Sequence, residues 1–78
     1  MSHKVLVKTD ELVYEDQTIG VRYYEWRTFK GAKRFTAQLL VSLTDRPTFD
    51  HGSLEDLEAR VGSVFHAVME SRELFQAA

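Results

Sequence analysis

The stretch "RYYEWRTFKGAKRF" (22–35) holds five of the ten Lys and Arg residues, Arg22, Arg27, Lys30, Lys33 and Arg34. It also holds Tyr23, Tyr24, Trp26, Phe29 and Phe35. Cations interleaved with aromatic rings suit two kinds of recognition. Lys and Arg neutralise phosphates while Tyr and Trp stack on bases. Tyr, Trp and Arg are also the residue types enriched at the centres of protein–protein interfaces. A solvated hairpin whose charges block edge-to-edge aggregation has the same composition.

Other side chains offer less. Asp50, His51 and Ser53 lie close together in "DRPTFDHGS" (45–53), but capping and turn chemistry select the same residues. His3, His51 and His66 lack metal-ligand spacing, so no metal or cofactor is expected. Nothing resembles a nucleophile elbow. With no cysteine in the chain, thiol catalysis, disulfides and Cys-based zinc sites are excluded. The expectation is a protein that is not an enzyme.

These residues must be positioned by a small fold. Seventy-eight residues, 44% hydrophobic and 28% charged, predict one globular domain over 1–78 with a thin core. The net charge of −2 argues against a general nucleic-acid binder. The basic segment 21–34 nevertheless sits between acidic ends, an asymmetry that bears on partners. No apolar run approaches bilayer length, the N-terminus reaches charge too early for a signal peptide, and cysteine is absent. Together these predict a cytoplasmic protein.

"HKVLVKT" (3–9) begins a long first strand that runs towards Tyr14, with Val5 and Val7 on one face. "TIGVRYYEWRTF" (18–29) is strongly β in composition, and "AKRFTAQLLVSLT" (32–44) alternates. The odd positions Phe35, Ala37, Leu39, Val41 and Leu43 of the third strand read as its core face. "DRPTFDHGS" reads as a loop. Ser53 then caps a helix whose apolar stripe is Leu54, Leu57, Val61, Val64, Phe65, Val68 and Phe75. Arg60 and His66 fall off that stripe. Gly62 interrupts the helix, which a close approach to the sheet would explain.

The predicted fold is α+β: a three-stranded antiparallel β-meander packed on one C-terminal α-helix, in two layers. This β-β-β-α order is similar to that of HicB-type antitoxins and of three-stranded-sheet DNA-binding domains. "GSLEDLEARV" resembles the capped helix that follows their third strand. The Pro-Gly-rich segment that marks HicB domains is absent between residues 39 and 52, and no functional residue is carried over.

One helix covers one sheet face and leaves the other open. The register of the second hairpin decides what stands there. A Phe29-Lys30-Gly31 loop with Gly31 at positive φ pairs odd positions with odd. Ile19, Val21 and Tyr23 then pack under the helix, and Arg22, Tyr24, Trp26, Arg34 and Leu40 face outward. A Lys30-Gly31 loop inverts the faces and puts Tyr24 and Trp26 in the core. The first register gives the better core set. It predicts a protein-interaction module that binds a protein partner, including a second copy of itself, through Arg22, Tyr24, Trp26, Arg34 and Leu40 or through a sheet edge. The alternative is a nucleic-acid-binding module that uses Arg22, Arg27, Lys30, Lys33 and Arg34.

Overall fold

The computed structural model describes residues 3–77, with side chains to residue 73. Four strands, β1 (Val5–Tyr14), β2 (Gln17–Arg27), β3 (Lys33–Leu40) and β4 (Thr48–His51), precede one helix, α1 (Leu54–Ala77). The strands form one antiparallel sheet in the order β1-β2-β3-β4. The α+β class and the single C-terminal helix agree with the sequence reading. The strand count does not, because the segment read as a loop contains β4.

Two interactions turn that segment into a strand. Ser42 organises the preceding turn: its backbone N–H donates to the Asp45 carbonyl (3.1 Å), and its Oγ accepts from the Asp45 N–H (3.0 Å). The chain then returns along β3. The Leu39 N–H donates to the Pro47 carbonyl (2.9 Å), and Phe49 and His51 stand opposite Ala37 and Phe35. Proline here loses nothing, since it sits just before the strand and supplies only an acceptor. The turn also ends β3 at Leu40. Leu43, expected on the core face, is therefore 88% exposed.

The β2–β3 register is the odd-with-odd one. Tyr23 pairs with Ala37, Val21 with Leu39 and Trp26 with Arg34. Thr28 and Ala32 close the loop: the Thr28 N–H donates to the Ala32 carbonyl (2.9 Å), and Gly31 takes φ 87°. Positive φ is nearly free for glycine and costly for a residue with a Cβ. β1 pairs with β2 along its whole length, with a bulge between Leu6 and Lys8. The bulge breaks the simple alternation expected of Val5 and Val7, because it inserts one residue and inverts parity across it. The β1–β2 turn is tighter, and Glu15 enters it at φ 55°.

The core lies between the odd face of the sheet and α1. Ile19, Val21, Tyr23, Phe35, Ala37 and Leu39 meet Leu57, Val61, Phe65 and Met69. Those four helix positions recur every fourth residue, which keeps them on one side of a 3.6-residue turn. Met69 was missing from the expected stripe; Leu54 and Val68 flank it as expected. Phe75 lies outside the described side chains. Ser53 does cap the helix, its Oγ accepting from the Asp56 N–H (3.3 Å). Gly62 does not approach the sheet: a Cβ built on it meets nothing within 4 Å.

The helix packs mainly over β3 and β4. Its far end reaches Tyr14, whose ring meets Phe65 edge-on at 6.4 Å and His66 at 5.0 Å. Much of β1 is left uncovered on both faces.

Candidate interaction surface

The odd-with-odd register places Arg22, Tyr24 and Trp26 of β2 on the face away from α1. Arg34, Thr36, Gln38 and Leu40 of β3 stand beside them. All five residues expected at a protein interface therefore share one face. Leu6 of β1 pairs with Tyr24 and extends the apolar part of the patch. At the other end Leu40 covers the bare backbone of Gly20, its Cδ1 lying 3.5 Å from where a glycine Cβ would stand.

This face is not a loose collection of side chains. Trp26 Nε1 donates to Thr36 Oγ1 (2.8 Å), and Thr36 Oγ1 donates to Asp50 Oδ1 (2.6 Å). Arg34 donates to Asp50 Oδ2 through Nη2 (2.8 Å) and Nε (3.2 Å). Thr36 is only 6% exposed although it lies on the uncovered face, because the indole, the guanidinium and the carboxylate enclose it. Burial pushes the Asp50 carboxyl up, but hydrogen bonds from Thr36 and Arg34 and the guanidinium charge outweigh it and hold the group below its ordinary 3.8. Trp26 is half-buried here rather than in the core, and the Lys4 ammonium lies 5.9 Å from its ring centre.

The five cations of the nucleic-acid reading separate. Arg22 and Arg34 stand on the open face, and Arg34 is engaged by Asp50. Arg27 and Lys33 pair with each other on the opposite face. Arg27 donates to the Gly31 carbonyl (3.0 Å), and Lys33 lies 3.9 Å from Glu25. Lys30 projects from the turn. The loop trio is only partly kept together: Asp50 faces outward, while His51 stands on the helix side opposite Phe35 and its Nδ1 accepts from the N–H of Ser53 (3.2 Å), which caps α1. Among the described residues no cluster of His, Cys, Asp and Glu could hold a metal ion.

The sequence reading missed one surface. Among the described residues the exposed large hydrophobic side chains are Val5, Leu6, Val7, Val13, Phe29 and Leu43, and four of these lie on β1. They are between 42% and 66% exposed. β1 is an edge strand of ten residues, whereas the other edge, β4, has four and lies against α1. The run "VLV" was visible in the sequence, but its place at an uncovered edge depends on the strand order.

No helix among the described residues is long and apolar enough to cross a membrane. No protein-family model matches the chain, and no curated protein or solved structure matches it significantly.

Proposed function

We propose that the protein is a small non-catalytic interaction module that binds a second copy of itself. The observation that carries this reading is the placement of exposed apolar area. Leu6 of the β1 edge stands beside Tyr24 on the open face, exposed Val5 lines one depression with Trp26 at the end of the sheet, exposed Val7 lies at the bulge between Leu6 and Lys8, and among the described residues no element covers them. Contiguous apolar surface of this kind, rimmed by Arg22 and Lys4, is the usual mark of a binding surface. Self-association suits a chain of this length, since a second copy adds to a core that is thin by itself.

The nucleic-acid reading has weaker support. A phosphate track needs its cations on one surface, and these five are divided between two faces and a turn, with Arg34 bound to a carboxylate.

Sedimentation equilibrium from about 5 to 500 μM tests the proposal. A mass that rises towards the dimer with concentration is expected, and a strict monomer throughout overturns it. Titration with mixed-sequence DNA and RNA at about 50 mM salt tests the alternative. No binding is expected; binding lost steeply by about 200 mM salt would favour the alternative.

A further inference from the structure

The polar depression between Tyr14, Asp45 and Arg72 is occupied by the chain's own Tyr14–Glu73 and Arg72–Asp45 bonds. The groove over Gly20 is a shallow part of the open face already described. The β1 edge carries more, because its residues specify how it is covered.

We infer that two copies join through β1, antiparallel and centred on Thr9, into one eight-stranded sheet with both helices on the same side. This rests on the reading above that the protein binds a copy of itself, and it names the edge, the register and the symmetry.

An antiparallel strand that pairs with its own copy is related to it by a two-fold axis perpendicular to the sheet. Such an axis carries one residue opposite itself and keeps each side chain on its own face. Thus only single-residue centres are allowed. Centring on Lys8, Asp10 or Glu11 sets a charge directly opposite the same charge, which is destabilising. Centring on Val7 places the axis on the bulge, and centring on Leu12 or beyond leaves most of the strand unpaired.

Thr9 has none of these faults. It lies near the middle of Val5–Tyr14, so nearly the whole strand overlaps. It sets Lys8 of each copy opposite Asp10 of the other. Both residues stand on the helix side, where β1 pairs Lys8 with Tyr23 and Asp10 with Val21. Two opposite-charge cross-strand pairs result. Lysine commonly guards an exposed edge. Here its ammonium is drawn to Glu58 (2.8 Å), while the side chain stays 43% exposed. Across the bulge the face-matched neighbours are Leu6 of one copy with Glu11 of the other on the open side, and Val5 with Leu12 on the helix side.

Single-cysteine cross-linking tests the register, since the chain has no cysteine of its own. Directly opposite residues have Cα atoms about 4.5–5.5 Å apart, within disulfide range. Under mild oxidation Thr9→Cys is expected to become a disulfide dimer, whereas Thr48→Cys on the β4 edge stays monomeric. Asp10→Lys sets like charges opposite each other twice. It is expected to weaken the sedimentation dimer about tenfold with no change in the melting temperature of the dilute monomer. If the unmodified protein dimerises while Thr9→Cys fails to cross-link, or links no better than Thr48→Cys, the β1 pairing is wrong and the self-association reading survives. An unmodified protein that stays monomeric at about 500 μM overturns both.

Discussion

The two faces of the sheet are held by different physics. Beneath α1, the odd positions of β2 and β3 form an apolar layer in which Val21, Ala37 and Leu39 are essentially inaccessible to water. On the other face, one residue along the same strands, a directional chain runs from Trp26 through Thr36 to Asp50 and Arg34. The first face owes its stability to area removed from water, which has no preferred geometry. The second depends on three strands meeting in register, because each donor must reach one acceptor. A small fold with one helix can thus order its uncovered face without burying it.

The largest effect that separates the faces comes from two neighbours in β3. Leu39 is fully buried on the helix side, whereas Leu40 is half-buried over Gly20 on the open side. Leu39→Ala is expected to destabilise by about 3 kcal/mol, from lost transfer energy plus a cavity. Leu40→Ala should cost about 1 kcal/mol, since less area is involved and solvent fills the gap. Urea unfolding at about 5 μM protein measures both. Equal costs would show that the open face is packed as a second core.

The open-face chain is broken next at its middle. Thr36→Val keeps the shape of the side chain and removes both the acceptor for Trp26 and the donor to Asp50. The expected loss is about 1–2 kcal/mol, with a red shift of Trp26 emission as the indole gains water. Thr36→Ser keeps the hydroxyl and should restore most of the loss. If the valine variant is as stable as the parent, the chain of hydrogen bonds adds no net stability.

How far each face could be read in the sequence follows from the same physics. Parity and one Gly31 sufficed for the helix face, because period-two alternation and a positive-φ turn are local properties. They also put Arg22, Tyr24, Trp26, Arg34 and Leu40 together. The open face needed Asp50, which lies in "TFDH", four residues between a proline turn and a helix cap. Turn-forming residues dominate that window, so local propensity reads it as a loop. It becomes a strand only through its long-range pairing with Phe35–Gln38. The burial of Thr36 was hidden for the same reason. The β1 bulge was hidden too, because no residue type at Val7 announces an inserted residue.

Gly62 supplies a smaller effect and a control for the comparison. It lies on the exposed side of α1 with room for a Cβ, so neither sheet face constrains it. Gly62→Ala is expected to stabilise by about 1 kcal/mol through helix propensity alone. Because the gain arises within the helix, it should add independently to the Leu39→Ala and Thr36→Val losses in double variants. Non-additivity with either would reveal that Gly62 serves packing after all.

The mildest probe is pH, and it acts on the two faces from opposite directions. Asp50, on the open face, is held below its ordinary 3.8. A lowered carboxyl pKa means that the unfolded chain takes up the proton first. Its contribution is therefore complete above pH 3.8 and lost as pH falls through the folded value. On the helix side, the hydrogen bond from Tyr14 to Glu73 (2.6 Å) pushes the phenol up from 10 to about 12. Burial raises Tyr23, and the Glu58 hydrogen bond raises Lys8. For these groups the unfolded chain loses the proton first, so each contribution is lost on the alkaline side; that of Tyr14 is complete below pH 10 and lost as pH rises through about 12. Asp50→Asn should flatten the acid side of the stability–pH curve and leave the alkaline side unchanged. Tyr14→Phe should do the reverse. Asp45, whose carboxyl is lowered by its hydrogen bond to Arg72 at the helix end, also titrates on the acid side. Asp45→Asn therefore has to be measured beside Asp50→Asn, and only the Asp50 variant should move the acid transition of Trp26 fluorescence. If both aspartate variants move that transition equally, the acid response belongs to the whole fold, and the open face is not an independently held surface.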